Sequence, residues 1–433
     1  MRKITGIVAL TLALLPQVTE AAEVGIDATT LFRFEERAVP GFAKENLAPA
    51  TQFFTVDLGK TADGNLSFHL SGWGRVDLAE RSATDDNPDG DLTYGYLLYA
   101  LPQSNAQVKA GRFFVYDVGT VEQVDGVSAR IDLKRGFSGT IFGGSPVEQN
   151  DIRDNRGNFI SGGRLGYRSG WIDAGISALH EAKAWSREYQ PGTGTLRILK
   201  KYRQLIGGDV WISPLNSLEM SGRALYDQSV NDVAELSYLA TWRPLKRVSL
   251  TADYNRQQLD SMFAAGNFPI TMFRPIADTT LTAYGGNVAF TVSKPLEIFA
   301  DFRQLQYRSP GYGDSRRYGF GARLLLQERI RLGAAYRRLD AERSDMISYD
   351  EYHAYGIYSR ASFSAALDLI AHRFDRSLYG RNYAFEATLA TGYQVTPEVG
   401  VAGDVSYAKT PLMKAETRGV FKLNYKYETQ GAR

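Results

Sequence analysis

Cysteine is absent from all 433 residues of the chain. This absence excludes disulfides, thiolate metal sites and covalent attachment of a c-type haem within the chain. A strong excess of one charge is also missing, because 50 basic residues are balanced by 48 acidic ones for a net charge of +2. Binding to nucleic acid usually needs a basic stripe, so this balance argues against nucleic acid as a partner.

Long hydrophobic runs are missing as well. The longest apolar stretch, Ile4 to Leu15, covers about twelve residues, whereas a helix that crosses a bilayer needs roughly 20. It follows Arg2 and Lys3 and precedes Ala21-Ala22, which is the pattern of a cleavable secretory signal peptide. We therefore predict a signal peptide over residues 1–22 and a single domain over residues 23–433.

The rest of the chain alternates apolar and polar side chains with a period of two, which favours β-strands over helices. The predicted strands are about 9–13 residues long, the length that a tilted strand needs to cross a bilayer. A soluble β-sandwich also alternates, but its strands are usually about 5–6 residues long. The clearest alternating stretches are Leu66 to Leu78, Val127 to Lys134, Val248 to Asn255, Ile330 to Arg337 and Phe421 to Glu428.

Aromatic residues, which make up 12% of the chain, lie near predicted strand ends, where outer-membrane barrels carry interfacial girdles. The chain also closes on an amphipathic aromatic strand, Gly419 to Tyr427, which resembles the C-terminal assembly signal of outer-membrane proteins. The residues predicted to form girdles are Trp171, Trp211, Trp242, Tyr94, Tyr99 and Tyr226.

The predicted connections are alternately short and long, as in barrels with short periplasmic turns and long extracellular loops. Short turns include Pro214-Leu215-Asn216, Arg243-Pro244 and Thr396-Pro397, and the longest loop covers residues 257–280. The pattern predicts an all-β fold: a transmembrane antiparallel up-and-down β-barrel of about 22 strands, with 20 as the alternative count. Both termini would then lie in the periplasm.

A barrel of this size has a wide interior. With strands about 4.8 Å apart and tilted by about 40°, such a barrel measures roughly 44 Å across its backbone. No segment remains for a plug domain, because the first strand follows the signal peptide at once, so we expect an unplugged lumen. Its wall would be wet and carry both charge signs, which gives no support for strong ion selectivity. The side chains predicted to face the lumen are His69, Arg75, Asp77, Arg130, Asp132, Glu219, Arg223, Asp253, Glu297, Asp301, Arg303, Arg331, Arg337 and Lys422.

Two sets of residues carry a resemblance to known proteins. Gly111-Arg112-Phe113-Phe114-Val115, followed by Glu122-Gln123-Val124-Asp125-Gly126-Val127, resembles a strand–loop–strand element of bacterial porin-like barrels. The run from Phe32-Arg33-Phe34 through Gly72-Trp73-Gly74-Arg75 to Gly95-Tyr96 is similar to the barrel component of porin–cytochrome conduits in metal-reducing bacteria. The resemblance implies an insulating sheath around a multihaem c-type cytochrome, with one cytochrome on each side of the membrane. A related branch carries an N-terminal Cys-x-x-Cys, and its absence here argues against membership of that branch.

Nothing in the sequence points to catalysis. A Ser/His hydrolase needs a His that is paired with a nucleophilic Ser and oriented by a third polar group. No Gly-x-Ser-x-Gly turn is present, and the four His residues are scattered: His69, His180, His353 and His372. We therefore predict no enzymatic activity and no cofactor or metal bound by this chain, with any haem carried by a partner cytochrome.

The leading hypothesis is an outer-membrane barrel that acts as a porin-type sheath for electron transfer. Its partners would be outer-membrane lipid and the multihaem c-type cytochromes of the periplasm and the outer surface. The alternative is a stand-alone diffusion porin for small solutes, with loop 257–280 folded inwards. A soluble β-rich binding protein of the periplasm is disfavoured, because its strands would be shorter and would not need aromatic girdles at both ends.

Overall fold

The structure, a computed structural model, describes residues 24–37, 45–59, 65–79, 88–147, 158–182, 186–189, 196–199, 202–258, 280–308, 313–342, 347–411 and 415–429. The predicted signal peptide and nearly all of the predicted loop 257–280 lie outside these ranges. Within them, no helix is both long and apolar enough to cross a membrane.

The described chain is built from β-strands, and its helical segments are two short 3-10 turns, Pro102–Ser104 and Lys134–Gly136. The strands of the first half are β1 (Val24–Arg37), β2 (Glu45–Leu47), β3 (Pro49–Leu58), β4 (Leu66–Asp77), β5 (Asp89–Leu101), β6 (Ala106–Val115), β7 (Glu122–Asp132), β8 (Phe137–Pro146), β9 (Phe159–Arg168), β10 (Ile172–Ala182), β11 (Ser186–Tyr189), β12 (Leu196–Leu199) and β13 (Tyr202–Leu215). Those of the second half are β14 (Leu218–Asp227), β15 (Asp232–Leu245), β16 (Val248–Gln258), β17 (Thr280–Ser293), β18 (Leu296–Arg308), β19 (Ser315–Leu326), β20 (Ile330–Ala341), β21 (Tyr349–Arg360), β22 (Phe363–Leu378), β23 (Arg381–Gln394), β24 (Val399–Lys409) and β25 (Glu416–Glu428).

The main sheet closes on itself, because β1 pairs with β25 on one side and with β2 and β3 on the other. β2 and β3 occupy one position in this sheet, and β11 and β12 form a separate hairpin within the β10–β13 connection. Counting β2 and β3 as one strand and leaving out β11 and β12 reduces the 25 strands to 22 barrel strands. Each of these is antiparallel to its sequence neighbours. The predicted all-β up-and-down barrel and its count of 22 are confirmed, and the alternative count of 20 is wrong.

The pairing register assigns strand residues to two faces, since residues directly opposite each other on neighbouring strands point the same way. Along the middle of the strands one face is apolar and exposed. Ile141, Leu165 and Ile176, on three successive strands, are 69%, 65% and 66% exposed. A contiguous apolar surface of this kind is what a lipid-facing belt requires.

Contacts between strands that are not neighbours identify the concave face. Glu122 of β7 bonds to Arg203 of β13, although β8, β9 and β10 lie between these two strands. A direct contact over that separation is possible only inside a closed sheet. Both residues share the polar face, so the polar face lines the barrel and the apolar belt lies outside.

Two of the girdle predictions are wrong. Trp211 pairs with Asp173 and Ser221 on the inner face, where its indole N–H donates to Glu219 at 2.9 Å. Tyr94 pairs with Ser71 on the same face. Proximity to a strand end does not reveal which way a side chain points, and inside the barrel Trp211 has a polar partner while the Tyr94 ring lies 5.8 Å from that of Tyr96. The other four girdle residues are at least 37% exposed: Trp171, Trp242, Tyr99 and Tyr226.

Two predicted turns are displaced by about two residues. Pro214 lies within β13 and Pro244 within β15, and the tight turns fall at 216–217 and 246–247 instead. The pairing register shifts beside each proline, between Ile212 and Leu215 and between Trp242 and Leu245. Proline lacks an N–H, so it fits a strand where a bulge interrupts the hydrogen-bond ladder.

Candidate functional site on the inner wall

The tip of the β6–β7 pair leaves the barrel wall and folds into the lumen. β5 follows β6 only up to Gly95–Arg112, whereas β6 and β7 stay paired as far as Val115–Glu122. The bend lies at Gly111, whose φ of +127° is a conformation that residues with a Cβ rarely adopt. We call residues 112–125 the inward hairpin; its last residues, Val124 and Asp125, still pair with β8. It lies within the strand–loop–strand element of residues 111–127 that the sequence resemblance singled out.

An apolar cluster holds the inward hairpin against the wall. Phe113, Val118 and Val124 are each 1% exposed or less. Fully burying one such side chain stabilises a fold by about 1.5–3 kcal/mol, so these contacts contribute to ordering the hairpin. The wall residues of the cluster come from successive strands: Phe142, Ile160, Leu179, Leu205, Leu225 and Ala234.

A buried charge cluster adds to this attachment. The Arg203 guanidinium donates to Glu122 of the hairpin at 2.6 Å and to Glu181 of β10 at 3.1 Å. All three side chains are buried. A single guanidinium is therefore shared by two carboxylates, and its loss would remove the cation that pairs with the buried Glu122.

A recess of ≈ 990 Å³ opens beside the inward hairpin, with Tyr116 and Asp117 at its rim. Its lining carries charges of both signs, largely paired. Arg164 binds the Asp209 carboxylate through two hydrogen bonds of 3.0 and 2.6 Å, and Arg130 donates to Asp132 at 3.1 Å. Because these charges already neutralise one another, the recess offers a polar surface without a strong field of either sign.

The side chains predicted to face the lumen share the face that carries Arg203, as the pairs around the barrel show. They do not converge on one site, because they are spread over seven strands, namely β4, β7, β14, β16, β18, β20 and β25. Most stand in separate ion pairs or hydrogen bonds along the wall: Arg75–Asp89 at 3.6 Å, Arg223–Glu235 at 2.6 Å, Arg303–Asp253 at 2.6 Å, Arg323–Glu297 at 2.9 Å and Arg337–Asp301 at 3.6 Å.

The four histidines lie in different environments. His180 points outward and contacts Gln204 at 3.1 Å. On the inner wall, His353 binds Asp368 at 2.8 Å, and His372 lies 3.6 Å from Glu351. Among the described residues, no group of three His, Cys, Asp or Glu could hold a metal ion.

His69 is held between two polar partners. Its Nδ1 lies 2.6 Å from Oδ1 of Asp57, and its Nε2 lies 3.0 Å from Oγ of Ser67. Tyr96 stacks on the imidazole with ring centres 4.9 Å apart. The ring is therefore fixed in position by three neighbours.

Comparison with solved structures shows similarity in fold to receptors and transporters. The ferric enterobactin receptor PfeA from Pseudomonas aeruginosa matches with a TM-score of 0.58 and 10% identity, over 95% of this chain and 81% of that chain. The siderophore receptor PirA from Pseudomonas aeruginosa matches with a TM-score of 0.55 and 12% identity, over 94% and 81%. The copper transporter OprC matches with a TM-score of 0.54 and 10% identity, over 95% and 81%.

At these identities the likeness concerns the fold, which is that of outer-membrane β-barrels. No protein-family model matches the sequence. No curated protein matches it either.

The sequence pattern did not reveal three features of the inner wall: the inward fold of residues 112–125, the Arg203 cluster and the Ser67–His69–Asp57 row. Each depends on the pairing register between strands, and the first two also join residues that are distant in sequence, up to 81 positions apart for Glu122 and Arg203. One signal was available. Phe113 and Val124 interrupt the polar positions of β6 and β7 with large apolar side chains, and buried apolar residues on a polar face indicate a covering segment.

Proposed function

We propose that this chain is an outer-membrane conduit and, more specifically, the sheath of a porin–cytochrome complex that carries electrons across the membrane. The observation that carries the proposal is a closed barrel of 22 strands with an apolar outer belt and a polar inner wall. In this role the barrel supplies the passage and its insulation, and the electrons move through the cofactors of the guest.

The width of the barrel supports a protein guest. A 22-strand barrel is roughly 44 Å across, and the inward hairpin occupies one layer of about 10 Å on one side. With side chains on the opposite wall, a passage of roughly 25 Å remains, which exceeds the diameter of about 10–12 Å of a helix. A guest that is itself folded can therefore fit.

The sequence offers little to close this passage. No stretch outside the described residues is longer than the 23 residues at positions 1–23. A segment of that size is below the roughly 40 residues at which a domain usually begins to fold on its own. We therefore include an unplugged lumen in the proposal.

The charges of the inner wall are compatible with a protein partner that carries its own cofactors. Inner-wall carboxylates and guanidinium groups pair with one another, as Arg303 does with Asp253 at 2.6 Å. Such a wall neither attracts nor repels groups of one charge sign strongly, so it is compatible with a large protein guest of mixed charge. Because the chain has no cysteine, a c-type haem in the lumen would be bound covalently to the guest.

Purification from native outer membranes tests the proposal. The expected result is co-elution of the barrel with a haem-staining protein through mild-detergent size exclusion. Isolation of the barrel alone under these conditions, combined with steady ion conductance in planar bilayers, would count against the sheath.

The inward hairpin favours a second candidate, a diffusion porin for small solutes. A segment folded into the lumen narrows the passage and places a polar recess beside the narrowing. Solute flux into proteoliposomes separates the candidates. A porin admits small polar solutes in the absence of any partner and occurs alone in the membrane, whereas a sheath leaks only after its guest has been removed.

A further inference from the structure

Ser67, His69 and Asp57 form a hydrogen-bonded row on the inner wall, at the end of the barrel with the short turns. Ser67 and His69 are two residues apart on β4, so both point into the lumen. Asp57 is the direct cross-strand partner of His69 on β3. The distances are 3.0 Å from Ser67 Oγ to His69 Nε2 and 2.6 Å from His69 Nδ1 to Asp57 Oδ1.

The order of atoms in this row is the one that activates a serine. A carboxylate on Nδ1 holds the proton at that nitrogen, so Nε2 is free to accept the proton of the serine hydroxyl. The same carboxylate stabilises the imidazolium that forms when the proton moves. His353 differs, because its Nε2 is engaged by Asp368 at 2.8 Å and does not face a serine.

Two further side chains complete the surroundings. The Tyr96 ring stacks on His69 and keeps it from rotating. Lys109 places its Nζ 5.4 Å from the centre of the Tyr96 ring. Ser67, Leu98 and Lys109 stand opposite one another on three successive strands. The ammonium therefore adds a positive charge to the same region of the inner wall, two strands away from Ser67.

We propose that Ser67 is the nucleophile of an acyl-transfer site that hydrolyses small water-soluble esters in the lumen. Ser67 Oγ attacks the ester carbonyl carbon while His69 Nε2 takes its proton, and a tetrahedral oxyanion forms. The carbon–oxygen bond to the alcohol then breaks, and His69 returns the proton to the leaving alkoxide. Water then attacks the acyl carbon while His69 takes one of its protons. The bond between that carbon and Ser67 Oγ breaks, the acid leaves, and His69 returns the proton to Ser67 Oγ.

The location of the site determines the substrate class. The row faces the water-filled interior and not the lipid belt, so the substrate must reach it from solution. Leu98, between Ser67 and Lys109, offers one apolar contact for a short acyl chain. This activity goes beyond the conduit role and departs from the prediction that the chain has no catalytic residues.

Labelling with a fluorophosphonate probe tests the proposal on the full-length protein in detergent. The expected result is a covalent adduct on Ser67, located by mass spectrometry, and hydrolysis of p-nitrophenyl acetate. Ser67→Ala should abolish both, and His69→Ala should slow labelling by at least about 100-fold, since a general base usually contributes that much. Asp57→Asn should also slow labelling.

Ser71→Ala is the matched control, because Ser71 lies on the same strand and face but bonds to Thr55 at 3.1 Å. It should label at the wild-type rate. A heat-dependent shift in gel mobility confirms that each variant is folded, and Asp57→Asn substitutes for His69→Ala if the latter fails this check. The proposal is overturned if the wild type labels no faster than Ser67→Ala, or if a folded His69 or Asp57 variant labels at the wild-type rate.

Discussion

Arg203 and Glu122 lie 2.6 Å apart inside the barrel, although 81 positions separate them in the chain. The pair connects the wall to the inward hairpin, and Glu181 shares the same guanidinium at 3.1 Å. The attachment of the inward hairpin, and with it the width of the passage, therefore depends on this buried cation together with the apolar cluster.

We expect Arg203→Ala to release the inward hairpin. Removing one partner of a buried ion pair costs about 3–5 kcal/mol, because the charges that remain are buried without compensation. Freed from the wall, the hairpin should fluctuate in the lumen, so the mean single-channel conductance should rise and its noise should increase. Planar-bilayer recording measures both.

Arg303→Ala is the control for this experiment. Arg303 pairs with Asp253 on the same wall, the two side chains are 39% and 23% exposed, and neither belongs to the hairpin cluster. Its loss should change stability by about 1 kcal/mol or less. Equal conductance noise in the two variants would show that Arg203 does not hold the hairpin.

The close approach of Gly126 to β8 gives a second prediction. A Cβ at Gly126 would lie 2.1 Å from the carbonyl oxygen of Gly143, which is backbone and cannot move aside. Gly126→Val should therefore prevent closure of β7 against β8 and reduce the yield of folded barrel. At Gly74, a Cβ meets nothing within 4 Å, so Gly74→Val should assemble normally. The fraction of folded barrel in each variant is measured from the shift in gel mobility between unheated and boiled samples. Equal yields would contradict the register described for β7 and β8.

The apolar belt gives a third prediction, from two neighbouring residues of β17. Val288 points outward and is 50% exposed, whereas Asn287 points inward opposite Asp301. Val288→Arg should destabilise the barrel by about 2–4 kcal/mol in lipid, because it places a charge in the hydrocarbon layer. Asn287→Arg should cost far less, since the wall is wet. Urea unfolding in lipid vesicles compares the two, and a reversed order would mean that the faces are exchanged.

The paired charges of the inner wall predict weak ion selectivity. Arg164 with Asp209 and Arg303 with Asp253 are typical of a wall in which both signs alternate. Under a tenfold gradient of potassium chloride, the reversal potential of the purified barrel should stay close to zero. A reversal potential close to the equilibrium potential of potassium alone or of chloride alone would show that charges of one sign control the passage.

The period-two pattern predicted the barrel, because lipid outside and water inside impose opposite requirements on successive residues, and the alternation of short turns and long loops predicted about 22 strands. It could not place Trp211 or Tyr94 on a face, since an aromatic ring near a strand end is compatible with either side. Nor could it bring Asp57 to His69, or Glu122 to Arg203, because such contacts depend on the register between strands and on a bend in the wall. Long-range partners are therefore the part of the site that required the structure.

The absence of cysteine permits a direct test of the sheath, because a single introduced thiol is the only one in the chain. In Asn287→Cys the thiol lies on the inner wall, away from the inward hairpin, between Thr251 and Asp301. Its reaction with a membrane-impermeant maleimide can be compared in native outer membranes and in vesicles that contain the purified barrel alone. An occupied lumen predicts protection in native membranes and rapid labelling in the vesicles, and equally rapid labelling in both would show that no partner fills the barrel.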